Sequence, residues 1–322
     1  MITTALIGGL GNQLFKIFTA IAHAIKYEHS FLFPYSKTLI AGSERSTYWD
    51  NFLKKLRNHT TANPEYKLTN DYFNDFIRIY NLDHHYVELP IPEKDKKYMI
   101  TGYCQSYKYF DEFKQPLFQM IDLEKQVECI KEDYSNYLCY KKNTHIIGMH
   151  FRIGDYKYLQ HSHNILKSEY YERALTYIIN KHQLPTSKPK IVTSNVQPIQ
   201  KQSKKEMEMQ NNNLDNEYIR VLYFVEKDDV YMANFVIDHL KSLYPYIEFI
   251  MIDTNVPDWK QMLIMSCCHS IIIANSTFSW WAAYFNKNPD VICYPDRWFG
   301  PRLIHNNVND MFPPTWIRIH AD

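Results

Sequence analysis

The sequence predicts an α/β protein built from two Rossmann-like domains that face each other across a cleft. Short apolar runs that suit buried strands alternate with stretches of helical period, which is the pattern of parallel α/β folds. This pattern starts twice, first at residue 2 and again near residue 144. The chain has 322 residues, more than one ordinary domain needs. We therefore predict an N-terminal domain over residues 1–143 and a C-terminal domain over residues 144–322.

Strands are predicted where β-branched and aromatic runs stand between turn residues. They are 2–7, 31–33 and 98–102 in the first domain, and 145–151, 219–225, 247–252, 271–274 and 291–294 in the second. Between the first two strands, apolar residues recur every three or four positions from Leu14 to Ile25, which predicts a helix with one buried face. Asn12 is the predicted N-cap of that helix. Residues 35–97 show no regular pattern.

One segment interrupts the second series of strands and helices. Residues 185–216 are rich in Pro, Lys and Gln, contain three consecutive Asn residues, and lack an apolar period. Such composition is typical of surface loops rather than of packed elements. We predict a surface insertion there.

Composition excludes several classes of protein. The 36 Lys and Arg residues nearly balance the 35 Asp and Glu residues, so no overall positive field favours a nucleic-acid partner. The six cysteines form no C-x-x-C pair, which indicates reduced thiols. No apolar run approaches the roughly 20 residues that span a bilayer, and the first residues do not resemble a signal peptide. We expect a cytoplasmic protein without a transmembrane segment.

The first candidate site is the glycine-rich segment Gly8–Gln13, placed between a predicted strand and a predicted helix. Glycines there allow close approach of the backbone, and a helix N-terminus offers free N–H groups to an anion or a sugar. A dinucleotide fingerprint is disfavoured because Leu14 stands where its third glycine belongs and no acidic residue follows the next strand. The alternative is a tight turn capped by Asn12, which leaves Gln13 without an explanation.

The second candidate site is the cluster His150–Asp155, at the carboxyl end of a strong predicted strand. In a doubly wound sheet that end opens into the ligand crevice. Arg152 presents a planar fork of donors that suits a phosphate, and Asp155 is placed to orient it or to titrate. The alternative for such a cluster is a purely structural set of caps and salt bridges.

The third candidate site is the run Asn275–Ser279, where a buried strand leads directly into a helix. Four side chains with amide or hydroxyl groups stand at this helix N-terminus, whereas one cap is enough for a helix. The free N–H groups and the helix dipole favour a diphosphate there. Trp280 and Trp281, which follow, are predicted to be packing residues. The alternative is that the four polar residues serve only as caps.

No pair of aspartates stands two positions apart anywhere in the chain, so the D-x-D clamp that holds a metal on nucleotide diphosphates is missing. The P-loop, H-E-x-x-H and G-x-S-x-G patterns are missing as well. We therefore expect no metal and no other cofactor. Arg152 and the helix N-terminus at Asn275–Ser279 are the predicted sources of positive charge for a diphosphate.

The three motifs together resemble the α-1,2-fucosyltransferase family, within the wider superfamily of α1,2-, α1,6- and protein O-fucosyltransferases. They read GGLGNQ at 8–13, HFRIGDY at 150–156 and NSTFSWW at 275–281. Weaker similarities lie at 102–110, 294–301 and 312–319. The resemblance implies a GT-B fold and a metal-independent, inverting transfer of L-fucose from GDP-β-L-fucose. The implied product is an α-1,2 linkage to the 2-OH of a galactose-terminated glycan.

The resemblance also implies roles for individual residues. His150 is expected near the guanine and Arg152 on the β-phosphate. The expected donor-binding set is His150, Arg152, Gln261, Asn275, Ser276, Thr277 and Phe278, the catalytic set is Arg152 and Asp155, and the cleft set from the other domain is Gly9, Asn12 and Gln13. The general base is left open between Asp155 and an unidentified group, with pairing to Arg152 the favoured role of Asp155.

Two positions depart from the family pattern. Ile153 replaces a second arginine, and Gln261 replaces an acidic residue that contacts guanine. A neutral amide accepts hydrogen bonds without charge assistance, so softer base selectivity is expected, and Gln261→Glu is expected to bind GDP more tightly. Two other functions stay open: a glycan or nucleotide-sugar binding protein without turnover, and a transferase of the same fold that uses another GDP-sugar.

Overall fold

A computed structural model describes residues 1–41, 43–81, 84–139, 143–184 and 218–322. The predicted insertion at 185–216 lies outside these ranges. The described chain contains two parallel sheets and a short antiparallel hairpin, with helices packed between and around them. The predicted α/β class is confirmed, and the division into two GT-B domains stays a prediction.

The N-terminal sheet has three parallel strands in the order β1-β5-β4. They are β1 (Ile2–Thr4), β4 (Ile77–Tyr80) and β5 (Tyr98–Thr101). The hairpin consists of β2 (Thr38–Ala41) and β3 (Ser43–Ser46). The predicted strand at 31–33 makes only isolated bridges, from Phe31 to Ile2 and from Phe33 to Thr60. β4 escaped prediction because only Ile79 of its four residues is buried.

The C-terminal sheet has six parallel strands in the order β11-β10-β9-β6-β7-β8. They are β6 (Thr144–His150), β7 (Tyr218–Phe224), β8 (Glu248–Met251), β9 (Ser270–Ile272), β10 (Val291–Pro295) and β11 (Ile317–Ile319). The chain builds outward from β6 to β8, then returns to the other side of β6 for β9 to β11. This is the doubly wound order, and its switch point lies between β6 and β9.

Helices connect these strands. They are α1 (Leu10–Lys26), α2 (Lys114–Met120), α3 (Leu123–Asp133), α4 (Ser135–Leu138), α5 (Ser168–Lys181), α6 (Val230–Leu243), α7 (Asp258–Ser266) and α8 (Thr277–Phe285). The N-cap of α1 is Gly9 rather than the predicted Asn12, which lies in the first helical turn. Among the helices of the described residues, none combines the length and apolar character that crossing a bilayer requires.

A cluster of buried aromatic residues joins α1 to α8, and so links the two halves of the chain. The Phe15 ring centroid lies 4.5 Å from that of Trp280, and Phe18 lies 5.0 Å from Trp281. Both tryptophans are fully buried, which confirms their predicted packing role. The Trp281 indole N–H donates to the Gly11 carbonyl oxygen at 2.9 Å. Since large buried aromatics contribute much apolar area, this contact fixes the N-terminus of α1 against that of α8.

Candidate functional site

A cavity of about 670 Å³ lies at the carboxyl ends of β6, β7 and β9. This is the switch point of the doubly wound sheet, where ligands of such folds bind. All three sequence motifs contribute to its lining: Gly8–Asn12 from the N-terminal half, and His150, Arg152, Asp155 and Asn275–Phe278 from the C-terminal half. The residues that the sequence singled out far apart along the chain therefore share one cavity.

The first motif reaches the cavity as the turn between β1 and α1. Gly8 has a φ of +72°, and a Cβ there would lie 2.6 Å from the Asn12 side-chain nitrogen, so this turn requires glycine. The Asn12 side-chain oxygen accepts hydrogen bonds from the Gln105 amide and the Thr277 hydroxyl, both at 3.0 Å. Asn12 therefore ties the first motif directly to the third.

Gln13, which we expected beside Asn12 at the cleft, lies behind the turn instead. Its side chain is fully buried, and its amide nitrogen donates to the carbonyl oxygens of Gly8 at 3.0 Å and Ser46 at 2.9 Å. These bonds hold the glycine turn and the β2–β3 hairpin together. Gln13 therefore positions the cavity wall without lining it.

Arg152 stands at the centre of the second motif, just after β6. Its guanidinium donates to the carboxylates of Asp155 and Glu226 and lies 4.8 Å from the centroid of the Tyr156 ring. The side chain is only 18% exposed, so this fork is held in one orientation. Sequence reasoning found Asp155 but missed Glu226. Glu226 could have been found from its place two residues after β7, because neighbouring parallel strands end at the same edge of the sheet.

The loop that carries Arg152 is held from below by a buried acid. The Asp229 side chain is 1% exposed and accepts from the Gly154 backbone N–H and from the Lys157 ammonium, the latter at 2.7 Å. A buried carboxylate is stable only when it is paired in this way. The bonds fix the turn after β6, and with it the position of Arg152 above the cavity.

The third motif forms the N-terminus of α8, and its polar side chains have partners within the protein. The Asn275 amide nitrogen donates to the carbonyl oxygens of Asn164 and Trp298, and Ser279 bonds to the Ala274 backbone. Ser276 caps α8 by accepting from the Phe278 N–H at 3.3 Å. Most of the polar side chains at this helix N-terminus therefore have structural partners, and the free N–H groups of α8 are what the helix offers an anion.

His150 lies at the floor of the cavity, with its ring 5.1 Å from that of Phe278. Burial, together with the positive charge of Arg152, lowers the pKa of His150 to about 3. Its Nδ1 is buried and has no hydrogen-bond partner within the described part of the chain. A neutral imidazole with an unused nitrogen is suited to a hydrogen bond with an uncharged part of a ligand.

The neutral His150 predicts an acid-sensitive fold. A histidine in the unfolded chain has a pKa near 6.5, so between about pH 3 and 6.5 the unfolded state holds one more proton than the folded state. Stability is therefore lost as the pH falls through this window, by about 1.4 kcal/mol per pH unit for this residue. In urea unfolding at pH 6.0, 5.0 and 4.0, His150→Gln should flatten the slope by about that amount. An unchanged slope would contradict the assignment.

Gln261, on α7, also lines the cavity. Its amide nitrogen donates to the Val256 carbonyl oxygen at 2.8 Å. One helical turn earlier, the Asp258 carboxylate lines the same part of the cavity and accepts from the Tyr48 hydroxyl. Asp258 was missed because its spacing to the third motif differs from the family pattern. It supplies an acidic group beside the neutral Gln261.

The bond to Val256 revises the expected result of Gln261→Glu. A carboxylate has no hydrogen to donate, so one of its oxygens would face the Val256 carbonyl oxygen, and this part-buried acceptor would lose its partner. We now expect a loss of about 1 kcal/mol or more in the free energy of unfolding, and no gain in GDP affinity. Urea unfolding and calorimetric titration with GDP measure both effects. Tighter GDP binding by the variant would contradict this expectation.

Ile153, which replaces the second arginine of the family pattern, is 5% exposed and packs in the hydrophobic core of the C-terminal sheet. The charge at that position is therefore absent from the cavity.

Two cations that the sequence did not single out line the cavity as well: Arg45 from β3 and Lys227 from the segment after β7. They add positive charge to the lining of the cavity.

Comparison with known proteins agrees with the motifs. The model of the family described as glycosyl transferase family 11 matches residues 247–320, which include α7, α8 and the third motif. This match and the relatives described next confirm the resemblance that the three motifs indicated.

Two curated relatives come from Escherichia coli. An O-antigen biosynthesis glycosyltransferase, WbnK, is 24% identical over 231 residues, which cover 69% of this chain and 61% of the relative. An alpha-1,2-colitosyltransferase is 24% identical over 340 residues, which cover 99% of both chains. The first match thus spans less than two thirds of its relative, whereas the second spans nearly all of it.

Proposed function

We propose that this chain, a glycosyltransferase related to family 11, moves L-fucose from GDP-β-L-fucose to the 2-OH of a terminal galactose. The transfer inverts the configuration at the fucose C1 and forms an α-1,2 linkage. The observation that carries the proposal is the meeting of all three motifs in one cavity around Arg152. The named relatives support the class of reaction, because both are glycosyltransferases and one makes an α-1,2 linkage.

In this proposal the diphosphate lies between Arg152 and the N-terminus of α8. The galactose 2-OH oxygen attacks C1 as the bond from C1 to the β-phosphate oxygen breaks, and GDP leaves with the electron pair. Negative charge develops on the β-phosphate, where the guanidinium and the free N–H groups of α8 stabilise it. The sugar passes through a state with oxocarbenium character and is attacked on the face opposite the diphosphate.

The proton of the attacking hydroxyl needs an acceptor. Asp155 and Glu226 are the carboxylates beside Arg152, and both are partly exposed to the cavity, with 47% and 56% of their side chains accessible. Both orient Arg152, so orientation and proton transfer must be separated by experiment. Asp155→Asn and Glu226→Gln keep the shape of each side chain, and only the general base is expected to lose the acidic limb of the pH–rate profile.

A second donor is favoured by one observation. The relative that aligns over 99% of this chain is named a colitosyltransferase, and colitose is L-fucose without its 3-hydroxyl. The cavity lining includes Gln105 and Arg45 from the N-terminal half, whose polar groups suit a sugar hydroxyl. Fucose offers these groups one more hydroxyl than colitose does. We therefore place GDP-fucose first and GDP-colitose second.

Product analysis tests the proposal. The protein is incubated with GDP-fucose, GDP-colitose or GDP-mannose and with lactose or a β-galactoside, and products are weighed by mass spectrometry. Nuclear magnetic resonance then assigns the linkage. An α-1,2-fucosylated galactoside supports the proposal, and a colitosylated one supports the second donor. GDP binding without product from any donor would indicate the binding protein that the sequence left open.

Transfer should be independent of added metal. The chain has no D-x-D pair, and in the proposed mechanism Arg152 and α8 stabilise the leaving diphosphate. Turnover at 25 °C should therefore survive excess EDTA within a factor of about two. A complete loss that Mn²⁺ or Mg²⁺ restores would overturn this part of the mechanism.

A further inference from the structure

A second cluster of chemically active side chains lies at the opposite edge of the C-terminal sheet. His145 belongs to β6, His182 follows α5 directly, and Asp290 directly precedes β10. One potential ligand atom from each residue lies within 4.8 Å of the other two. None of the three lines the cavity at the carboxyl edge. His150 lies five positions beyond His145 along the extended strand, which is roughly 17 Å.

The hydrogen bonds of His145 leave one particular nitrogen for a ligand. Its Nε2 pairs with the Ser270 hydroxyl at 3.0 Å, and its Nδ1 lies 3.9 Å from the Asp290 carboxylate. The side chain is 12% exposed. Histidines that bind metals use one nitrogen for the ion and the other for a partner that fixes the ring. Here Ser270 is the partner that fixes the His145 ring, and Nδ1 is the nitrogen left for the ion.

His182 brings an unsatisfied atom to the cluster. Its Nε2 is buried and, within the described residues, has no hydrogen-bond partner. Leaving a buried polar nitrogen unpaired costs free energy that a ligand would recover. The ring centroid lies 4.9 Å from that of His145. The Nε2 atom of His182 is therefore available to coordinate a metal ion.

The neighbouring His269 is engaged elsewhere. Its Nδ1 accepts from the Ile146 backbone N–H at 3.0 Å, and its carbonyl oxygen accepts from the Asp290 N–H at 2.8 Å. These bonds fix the loop before β10 against the start of β6. Asp290 is thereby held close to His145 by the backbone rather than by an exposed and weak ion pair.

Two imidazoles and one carboxylate are the ligand set of a divalent transition metal. Ligand atoms on tetrahedral Zn²⁺ lie about 3.4 Å apart, since each is about 2.1 Å from the ion. No separation in the cluster exceeds this by more than about 1.4 Å, a difference that side-chain rotation can close. Water would complete the fourth position.

We propose that His145, His182 and Asp290 bind one Zn²⁺ ion that fastens the end of α5 to the amino edge of the C-terminal sheet. The ion has no part in sugar transfer, because its site is on the far side of the sheet from the cavity. It stabilises the junction of α5 with β6 and β10. Its loss lowers the unfolding temperature and leaves turnover at 25 °C unchanged.

Zinc binding by the full-length protein tests this site. The chain is stripped with EDTA, dialysed free of chelator and titrated with ZnCl₂ by calorimetry, with Co²⁺ as a second probe whose visible absorption reports tetrahedral coordination. We expect one ion per chain and a higher unfolding temperature with zinc. His182→Gln and Asp290→Asn should each weaken zinc binding about tenfold or more and abolish the thermal shift.

His239→Gln is the matched control, since His239 is a surface imidazole that pairs with Glu172 at 2.9 Å and belongs to no metal-ligating cluster within the described ranges. It should bind zinc as the unsubstituted chain does. Ser270→Ala, which removes only the partner of His145, should weaken binding severalfold and guards against a ligand variant that fails to fold. Absence of zinc uptake by the unsubstituted protein, or equal uptake by folded His182→Gln, would overturn the proposal.

Discussion

Replacing Arg152 with alanine should lower the rate of sugar transfer on the order of 10²–10³-fold, the largest catalytic effect that we expect in this protein. The guanidinium is a cation held at the switch point, where Asp155 and Glu226 fix it over the Tyr156 ring. Without it, two carboxylates face the diphosphate, so repulsion adds to the lost stabilisation. Single-turnover rates with saturating GDP-fucose measure the effect on the chemical step.

Arg152→Lys should recover little of this rate, because an ammonium is a point charge that cannot reach both carboxylates and a phosphate as a planar fork does. Arg173→Ala is the matched control, since the Arg173 guanidinium donates to the His320 carbonyl oxygen outside the cavity. It should retain normal turnover. If Arg152→Ala turned over at a near-normal rate, the donor site would have to lie elsewhere.

Replacing Gly11 with alanine should destabilise the protein by about 3 kcal/mol, because the added methyl group would overlap the backbone of a neighbouring helix. A Cβ at Gly11 would lie 2.4 Å from the Thr277 carbonyl carbon and 2.5 Å from its oxygen. The N-termini of α1 and α8 would have to move apart. That movement would break the bond between Asn12 and Thr277 and open the wall of the cavity.

Gly9 provides the matched control for Gly11. A Cβ at Gly9 meets no atom within 4 Å, and its φ of −76° suits any residue. Gly9→Ala should therefore change the free energy of unfolding by less than about 0.5 kcal/mol. Urea unfolding of both variants measures the difference. Equal stability of the two would show that the helix ends tolerate separation.

Much of the candidate site was accessible from the sequence because parallel α/β sheets collect function at one edge. A strand that ends in His150, and another that leads into Asn275, are adjacent in the sheet, so their terminal residues meet. The roles assigned to these residues stay predictions. The pattern of β-branched runs also located the strands of the C-terminal sheet, except β11, where Arg318 interrupts the apolar run.

Other features depend on contacts between distant parts of the chain, which local patterns do not encode. Glu226, Arg45 and Asp258 line the cavity only because β7, the β2–β3 hairpin and α7 converge there. Gln13 carries an amide of the kind that contacts ligands, yet this amide donates to the carbonyl oxygens of Gly8 and Ser46 instead.

The sequence by itself determined the α/β class, the parallel strand series from residue 144 and the three segments that meet at the cavity, since periodicity and strand-end position are local properties. Only the tertiary structure decided which side chains face the cavity and which serve the fold. Buried donors and acceptors must be paired, and their partners lie far away in sequence. Asn12 shows this directly: its sequence predicted a helix cap, and its contacts with Gln105 and Thr277 make it a link between the two halves of the chain.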